Sequence, residues 1–138
     1  MVDHAQQGPL TGLTPHLSVG HGHASKAADF YTQAFGAEEQ TRMPAQDGKR
    51  LMHCHLLING GSLMLCDDFP EHHGGSYAPP AAVTLHLQVE DVDAWYARAV
   101  EAGAVPRMPP EDMFWGDRYA QVDDPFGFTW SLGASPAQ

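Results

Sequence analysis

One order of elements occurs twice in this chain, and that repeat constrains the fold more than any single motif. Ala27, Phe30, Tyr31, Ala34 and Phe35 follow one another at steps of 3, 1, 3 and 1. Val92, Trp95, Tyr96, Ala99 and Val100 follow at the same steps. This spacing puts each set on one face of a helix. The first helix is predicted to start near Ser25 and end at Gly36. The second is predicted to start at Glu90 or Asp91 and end at Gly103. Ser or Asp at the start and Gly at the end are the expected caps.

What surrounds the helices repeats as well. A short strand precedes each, at Pro15–Val19 and Val83–Val89. Gly-Ala and then Arg-Met-Pro follow each, the latter at Arg42–Pro44 and Arg107–Pro109. Two further strand-like runs come next. They are Arg50–Ile58 and Ser62–Cys66 in the first copy, joined by Asn59-Gly60-Gly61. In the second copy they are Asp117–Val122 and Phe128–Leu132, joined by Asp123–Gly127. Asn-Gly and Pro-x-Gly are turn chemistry. Each copy therefore reads as β-α-β-β-β. The chain, 1–138, is read as one α+β domain with modules at 14–67 and 82–133 and a linker at 68–81, rich in Gly, Pro and His.

Alternation gives every strand two faces. Leu17, Val19, Leu63, Leu65, Leu85, Leu87, Val89, Phe128, Trp130 and Leu132 form a uniformly apolar set that should pack under the helices. In the third strand, Met52, Cys54, Leu56 and Ile58 follow the same parity. The opposite set is mixed: Thr14, His16, Ser18, Ser62, Met64, Cys66, Thr84, His86, Gln88, Thr129 and Ser131, with His53 and His55. Such a face either meets water or lines a cup where two sheets join and curl. Alternation leaves both arrangements open, and the second makes a ligand pocket.

Charge and composition exclude several classes. Seven Lys and Arg against 17 Asp and Glu leave a formal charge of −10, with no basic stripe, so neither nucleic acid nor an anionic membrane is an expected partner. An apolar content of 43% excludes a disordered chain. No apolar run approaches the roughly 20 residues of a membrane helix, and residues 1–12 carry no leader pattern. Two cysteines without a CxxC fit a reducing, cytoplasmic setting. Nine histidines, at 4, 16, 21, 23, 53, 55, 72, 73 and 86, are the compositional anomaly.

Two β-α-β-β-β modules worded in this way resemble the vicinal oxygen chelate superfamily: glyoxalase I, extradiol dioxygenases, and bleomycin and fosfomycin resistance proteins. The phrases that carry the resemblance are Asp29-Phe-Tyr with Phe35-Gly-Ala37, Arg42-Met-Pro44, and Leu63-Met-Leu65 leading to Phe69-Pro-Glu71. Val83-Thr-Leu-His-Leu87 with Val89-Glu-Asp-Val92, and Glu111–Arg118 leading to Asp124-Pro-Phe-Gly127, extend it over about residues 13–133. The wording is most similar to PhnB-like members. The resemblance implies a curved mixed sheet with an inner cup and the helices outside, a small-molecule site in the cup between the modules, and a homodimer, with or without exchanged modules. One fold carries many chemistries, so it does not name a reaction.

Metal-dependent members take four ligands from the first and last strands of each module. Those places fall here on Thr14, Met64, Thr84 and Ser131. None offers the imidazole, carboxylate or thiolate that a catalytic divalent metal needs. No cofactor is therefore expected. His16 and His86 stand two residues further along, on the same face, and are the alternative metal ligands. The expected pocket comprises His16, Ser18, His53, His55, Met64, Cys66, His86, Phe114, Trp115, Tyr119 and Ser131.

The histidines on that face can serve as a shifted metal site, a general base, pocket lining or structural groups. His21, His23, His72 and His73 fall in loops and are expected to be solvated. Phe114, Trp115 and Tyr119, with Met113, make either an aromatic wall for a planar ligand or a packed lid or dimer contact. Arg118 is expected to pair locally with Asp117, Asp123 or Asp124, or else to clamp an anion. Cys54 and Cys66 fall on opposite faces, which argues against a disulfide. Two functions follow. One is a binding protein of the bleomycin-resistance kind, its acidity suiting a cationic ligand. The other is a lyase or isomerase of glyoxalase type, with shifted histidines holding a metal that stabilises an oxyanion. A methyltransferase reading has no glycine-rich cofactor loop to rest on.

Overall fold

Both copies of the repeat fold as β-α-β-β-β. The first comprises β1 (His16–Val19), α1 (Ala24–Phe35), β2 (Glu38–Pro44), β3 (Leu51–Ile58) and β4 (Gly61–Asp67). The second comprises β5 (Thr84–Gln88), α2 (Val92–Ala102), β6 (Val105–Asp112), β7 (Arg118–Asp123) and β8 (Thr129–Ala134). The structure is a computed structural model that describes residues 8–136. His4 and most of the stretch read for a leader lie outside the described residues.

The mixed sheet takes the form of two four-stranded sheets, ordered β1-β4-β3-β2 and β5-β8-β7-β6. In each, the first strand runs parallel to the last, and the other pairs are antiparallel. The parallel first and last strands are linked through the helix and the two strands between them, and short loops join the antiparallel neighbours. Asn59 and Gly60 sit at φ 50° and 83°, the positive angles of a two-residue hairpin turn.

By contact density the chain divides into two units. The first holds the described residues up to Thr32 and Gly36–Pro79; the second holds Gln33–Phe35 and the residues from Pro80 on.

In the first unit, Leu17, Val19, Leu51, Cys54, Leu56, Ile58, Leu63 and Leu65 are buried. One expectation fails here. Met52 is 55% exposed, and Leu51 is buried in its place. The cause is an irregularity in the β2–β3 pairing, where Met43 faces His53 but Pro44 faces Leu51. The extra residue, Met52, is left out of the alternation.

The helix α1 starts at Ala24, near Ser25 as expected, but its cap differs from the expected Ser. Its N-cap is His23, whose side chain makes no capping bond. The cap comes from a distant strand: Asp67 Oδ1 accepts from the Ala24 amide at 2.9 Å. Asp67 Oδ2 accepts from the Leu51 amide at 2.6 Å. A carboxylate 1% exposed thus ties the ends of β4, α1 and β3 together. Gly36 closes the helix in the left-handed conformation.

In the second unit, α2 is capped by Asp91, whose side chain accepts from the Ala94 amide at 3.1 Å. Val92, Trp95 and Tyr96 of the helix pack with Leu87, Val89, Ala120, Leu132 and Ala134 of the sheet. The last turn of α1 joins this unit, with Phe35 against Trp130 at 4.7 Å between ring centres. Asp124, also buried, accepts from the Phe126 and Phe128 amides at 2.8 and 3.0 Å and from Trp130 Nε1 at 2.9 Å. The Asp-Pro-Phe-Gly turn is thereby fixed to the core of β8, and Asp124 is unavailable to Arg118.

Candidate functional site

The face of the second sheet opposite α2 is polar, and strand register sets out its rows. Residues opposite one another on neighbouring strands share a face, as do residues two apart on one strand. Ser131 on β8 stands between His86 on β5 and Gln121 on β7. One step along, Gly133 stands between Gln88 and Tyr119. Glycine leaves a gap in the middle of the second row, and the His86 ring lies over it. A Cβ built on Gly133 would meet His86 Cε1 at 2.8 Å.

Both nitrogens of that ring are engaged. Nδ1 lies 2.7 Å from Ser131 Oγ, and Nε2 lies 2.8 Å from Gln88 Oε1. A carbonyl oxygen only accepts, so Nε2 carries a proton and donates to Gln88. In the neutral ring, Nδ1 then accepts from the Ser131 hydroxyl. The tautomer follows from the network. A protonated ring would keep both bonds, with Nδ1–H donating to Ser131 Oγ. His86 is therefore fixed in place and presents a ring face.

Tyr119 lies beside it, the two rings 15° from parallel and 6.2 Å apart between centres. Trp115 meets Tyr119 edge-on at 5.7 Å, and Phe114 meets Trp115 edge-on at 5.1 Å. Phe114 and Trp115 sit in the turn between β6 and β7, 97% and 51% exposed. Most of their apolar surface thus faces solvent. Gln121 Nε2 donates to the Tyr119 hydroxyl at 2.9 Å.

Arg118 makes a different set of pairs from the expected one. It joins Asp93 through Nε and Nη2 at 2.6 and 2.9 Å, and Asp112 at 3.0 Å. Asp117, Asp123 and Asp124 are not its partners; Asp123 accepts from Thr129 Oγ1 and Arg107 instead. These bonds hold the Asp93 carboxyl below its usual range. A groove of about 550 Å³ beside them is lined by Glu90, Asp91, Asp93, Asp112, Met113, Arg118 and Ser135, among others. It contains none of His86, Tyr119 and Ser131. Its one Arg is already neutralised by two carboxylates.

The first sheet has an equivalent polar face. Met64 stands between His16 and His55, and Thr41 lies beyond His55. His16 and His86 thus occupy matching places, as do Met64 and Ser131. Ser18 faces Cys66, and His53 faces Met43. His55 is 4% exposed; its Nε2 lies 2.9 Å from Ser62 Oγ, and its Nδ1 is buried with no hydrogen-bond partner among the described residues. Both cysteines are free. Burial pushes the Cys54 thiol up to about 11. It also raises Cys66, against a hydrogen bond with Ser18.

The loop histidines are less simply solvated than expected. His72 stacks on Phe69 with ring centres 5.6 Å apart. His73 Nε2 pairs with Asp68 Oδ1 at 2.7 Å. His21 lies edge-on to Tyr77 at 5.8 Å, and the Tyr77 hydroxyl donates to the Ser18 carbonyl at 3.0 Å.

The residues at the family's metal positions do not fit a metal. Thr14, Met64, Thr84 and Ser131 supply no strong ligand. Among the described residues no three His, Cys, Asp or Glu side chains converge in a way that could hold an ion.

Gln88, Gln121 and Gly133 were absent from the expected pocket. Gln121 was within reach of sequence reasoning, since it stands two residues from Tyr119 on the same strand. Gln88 lies on the expected polar face but has no chemistry that singles it out. Gly133 matters for the space it leaves, which register alone reveals.

Comparison with known proteins agrees with this architecture. A Mycobacterium tuberculosis protein described as uncharacterized is 48% identical over 141 residues, covering 94% of this chain and 81% of its own. The X-ray structure of the Arabidopsis thaliana gene product At5g48480 superposes with a TM-score of 0.69 at 30% identity, covering 89% of this chain and 98% of that one. The crystal structure of protein PA1353 from Pseudomonas aeruginosa superposes with a TM-score of 0.71 at 23% identity, covering 92% and 99%. No helix among the described residues is long and apolar enough to cross a membrane. Residues 14–132 match the sequence profile of one family, and the chain accordingly belongs to the glyoxalase/bleomycin resistance protein/dioxygenase superfamily.

Proposed function

We propose that this chain binds a small planar molecule on the polar face of its second sheet, without the metal centre of the family's enzymes. The observation that carries this reading is the fixed His86 ring beside Tyr119, with Trp115 and Phe114 continuing the aromatic surface. Ser131 and Gln88 hold His86 before any ligand arrives, so little ordering is left to do on binding. Aromatic faces next to a few oriented polar groups are the usual make-up of a small-molecule site. Net charge of −10 favours a neutral or cationic ligand over an anionic one.

The alternative, a metal-dependent lyase or isomerase using His16 and His86, has less support. His86 already engages both ring nitrogens, so ligation would first break a hydrogen bond. We also place the chain in the PhnB-like branch on the wording quoted above, in a reducing cytoplasm on its two free thiols, and in a homodimer on family resemblance.

The test is titration of a panel of planar aromatic compounds, read by tryptophan fluorescence. Trp115 is the exposed reporter, while Trp130 is buried. Saturable quenching that weakens in Trp115→Ala is the expected result. No quenching across a broad panel overturns the reading. One equivalent of Zn, Ni, Mn or Fe retained after dialysis against a weak chelator would favour the lyase or isomerase instead.

A further inference from the structure

The hydrogen-bonding inventory of the polar face points to what the ligand must carry. His86 is satisfied at both nitrogens by Ser131 and Gln88. Asp123 is occupied by Arg107 and Thr129. The Tyr119–Gln121 pair differs. Gln121 Nε2 donates to Tyr119 Oη at 2.9 Å, which uses one amide proton and one lone pair of the phenol. The Tyr119 O–H proton, the second Gln121 amide proton and the Gln121 carbonyl oxygen have no partner among the described residues. A donor and an acceptor therefore stand side by side, half-buried, next to the Trp115 and His86 rings.

This result does not depend on which way the carboxamide of Gln121 points. Turned over, its oxygen would accept from the Tyr119 hydroxyl. Both amide protons and the phenol lone pairs would then be left over. Either arrangement leaves at least one donor and one acceptor on this pair. A carboxylate is acceptor-only and would leave the acceptor unmatched. An ammonium is donor-only and would leave the donor unmatched.

We infer that Tyr119 and Gln121 together read an edge bearing one donor and one acceptor side by side, so that the ligand is a planar heterocycle with a lactam-type N–H and C=O. This rests on the planar-ligand reading above. Tyr119 contributes its ring to stacking and its hydroxyl to the edge. Gln121 supplies the partner group beside it. Neither residue touches a reacting bond; both determine specificity. A partly buried polar pair facing a ligand that cannot answer it loses hydrogen bonds to water without replacement, and this is what discriminates between ligands.

The experiment is isothermal titration calorimetry of the full chain with 2-quinolone and with N-methyl-2-quinolone, which keeps the ring and carbonyl but lacks the N–H. Binding of 2-quinolone is expected to be about tenfold tighter, the effect of one partly buried hydrogen bond. Tyr119→Phe and Gln121→Met are expected to bring the two probes to within about threefold of each other, with folding checked by circular dichroism. Equal affinities in the unmutated chain, with binding lost in Trp115→Ala, overturn the lactam inference and leave the planar-ligand reading standing. Binding of other planar compounds but of neither quinolone also overturns the inference alone. If no planar compound binds, both fall. The comparison of probes on the unmutated chain needs no variant to fold.

Discussion

Gly133 lies beneath the ring of His86, so that a Cβ on Gly133 would stand 2.8 Å from His86 Cε1 and 2.9 Å from Gln88 Oε1. Real Cβ atoms do not approach so closely, and the ring must move in Gly133→Ala. The contacts are the ends of side chains, so the backbone can stay in place. What is lost is the pair of bonds from His86 to Ser131 and Gln88. The substitution is expected to cost about 1–2 kcal/mol by urea unfolding, about one net hydrogen bond or somewhat more. It should also weaken any planar ligand that stacks beside Tyr119. Unchanged ligand affinity together with a shifted His86 NMR signal would show that the ring's position does not matter for binding.

Asp67 caps a helix 43 residues before it in sequence, and its removal should show at two distant amides. Asp67→Ala leaves the Ala24 and Leu51 N–H groups without an acceptor. Each orphaned buried donor costs about 1–3 kcal/mol, so a loss of about 2–4 kcal/mol is expected. Asp67→Asn keeps one carbonyl oxygen and should lose less. Hydrogen exchange should quicken at Ala24 and Leu51 in both variants. Fast exchange confined to one of the two would mean that the carboxylate serves a single element.

These two relationships show where sequence reasoning stops. The helix faces, the glycine stops at Gly36 and Gly103 and the Asp91 cap were legible, because each depends on residues within one turn. So was the alternation that buries Leu17, Val19, Leu63 and Leu65. Asp67 was not legible as a cap, because its partner is set by how strand and helix ends meet. Met52 was misplaced because an irregularity in pairing shifts parity, and nothing in Met-His-Cys-His announces one. Arg118 was matched to nearby acids in sequence, whereas its partner Asp93 comes from α2. On the polar face, the alternation was readable but the cross-strand rows and the gap at Gly133 were not.

The linker should respond to pH through His73. Its hydrogen bond to Asp68, at 2.7 Å, holds the imidazolium above the ordinary 6.5. A raised folded value means that the charged form stabilises the folded linker. That contribution is complete below pH 6.5 and is lost as pH rises through the folded value. NMR titration of the His73 ring should give a midpoint above 6.5, and Asp68→Asn should lower it. The Gly75 amide, which donates to the Pro70 carbonyl at 2.7 Å, is the reporter of linker order. Its exchange, corrected for intrinsic base catalysis, should quicken over the same range. A flat midpoint in Asp68→Asn would assign the shift to another neighbour.

The two thiols should label in a fixed order. Cys54 pairs with Leu65 on the apolar face and is fully buried. Burial pushes its pKa to about 11, so at pH 8 only about one molecule in a thousand carries the thiolate. Cys66 is half-buried on the opposite, polar face, beside Ser18. Its thiol is raised as well, since burial outweighs the Ser18 bond. Both should therefore react with a thiol reagent more slowly than free cysteine, because the thiolate is the reactive form. Cys66 is expected to react first, by direct approach from solvent. Cys54 is expected to react at the rate at which the first unit opens, and so to quicken with urea while Cys66 barely changes. Mild oxidation should leave the mass of the chain without the loss of two hydrogens, since residues on opposite faces of a sheet cannot bring their Cβ atoms together. Formation of an intramolecular disulfide in the folded chain would overturn the assignment of the two faces.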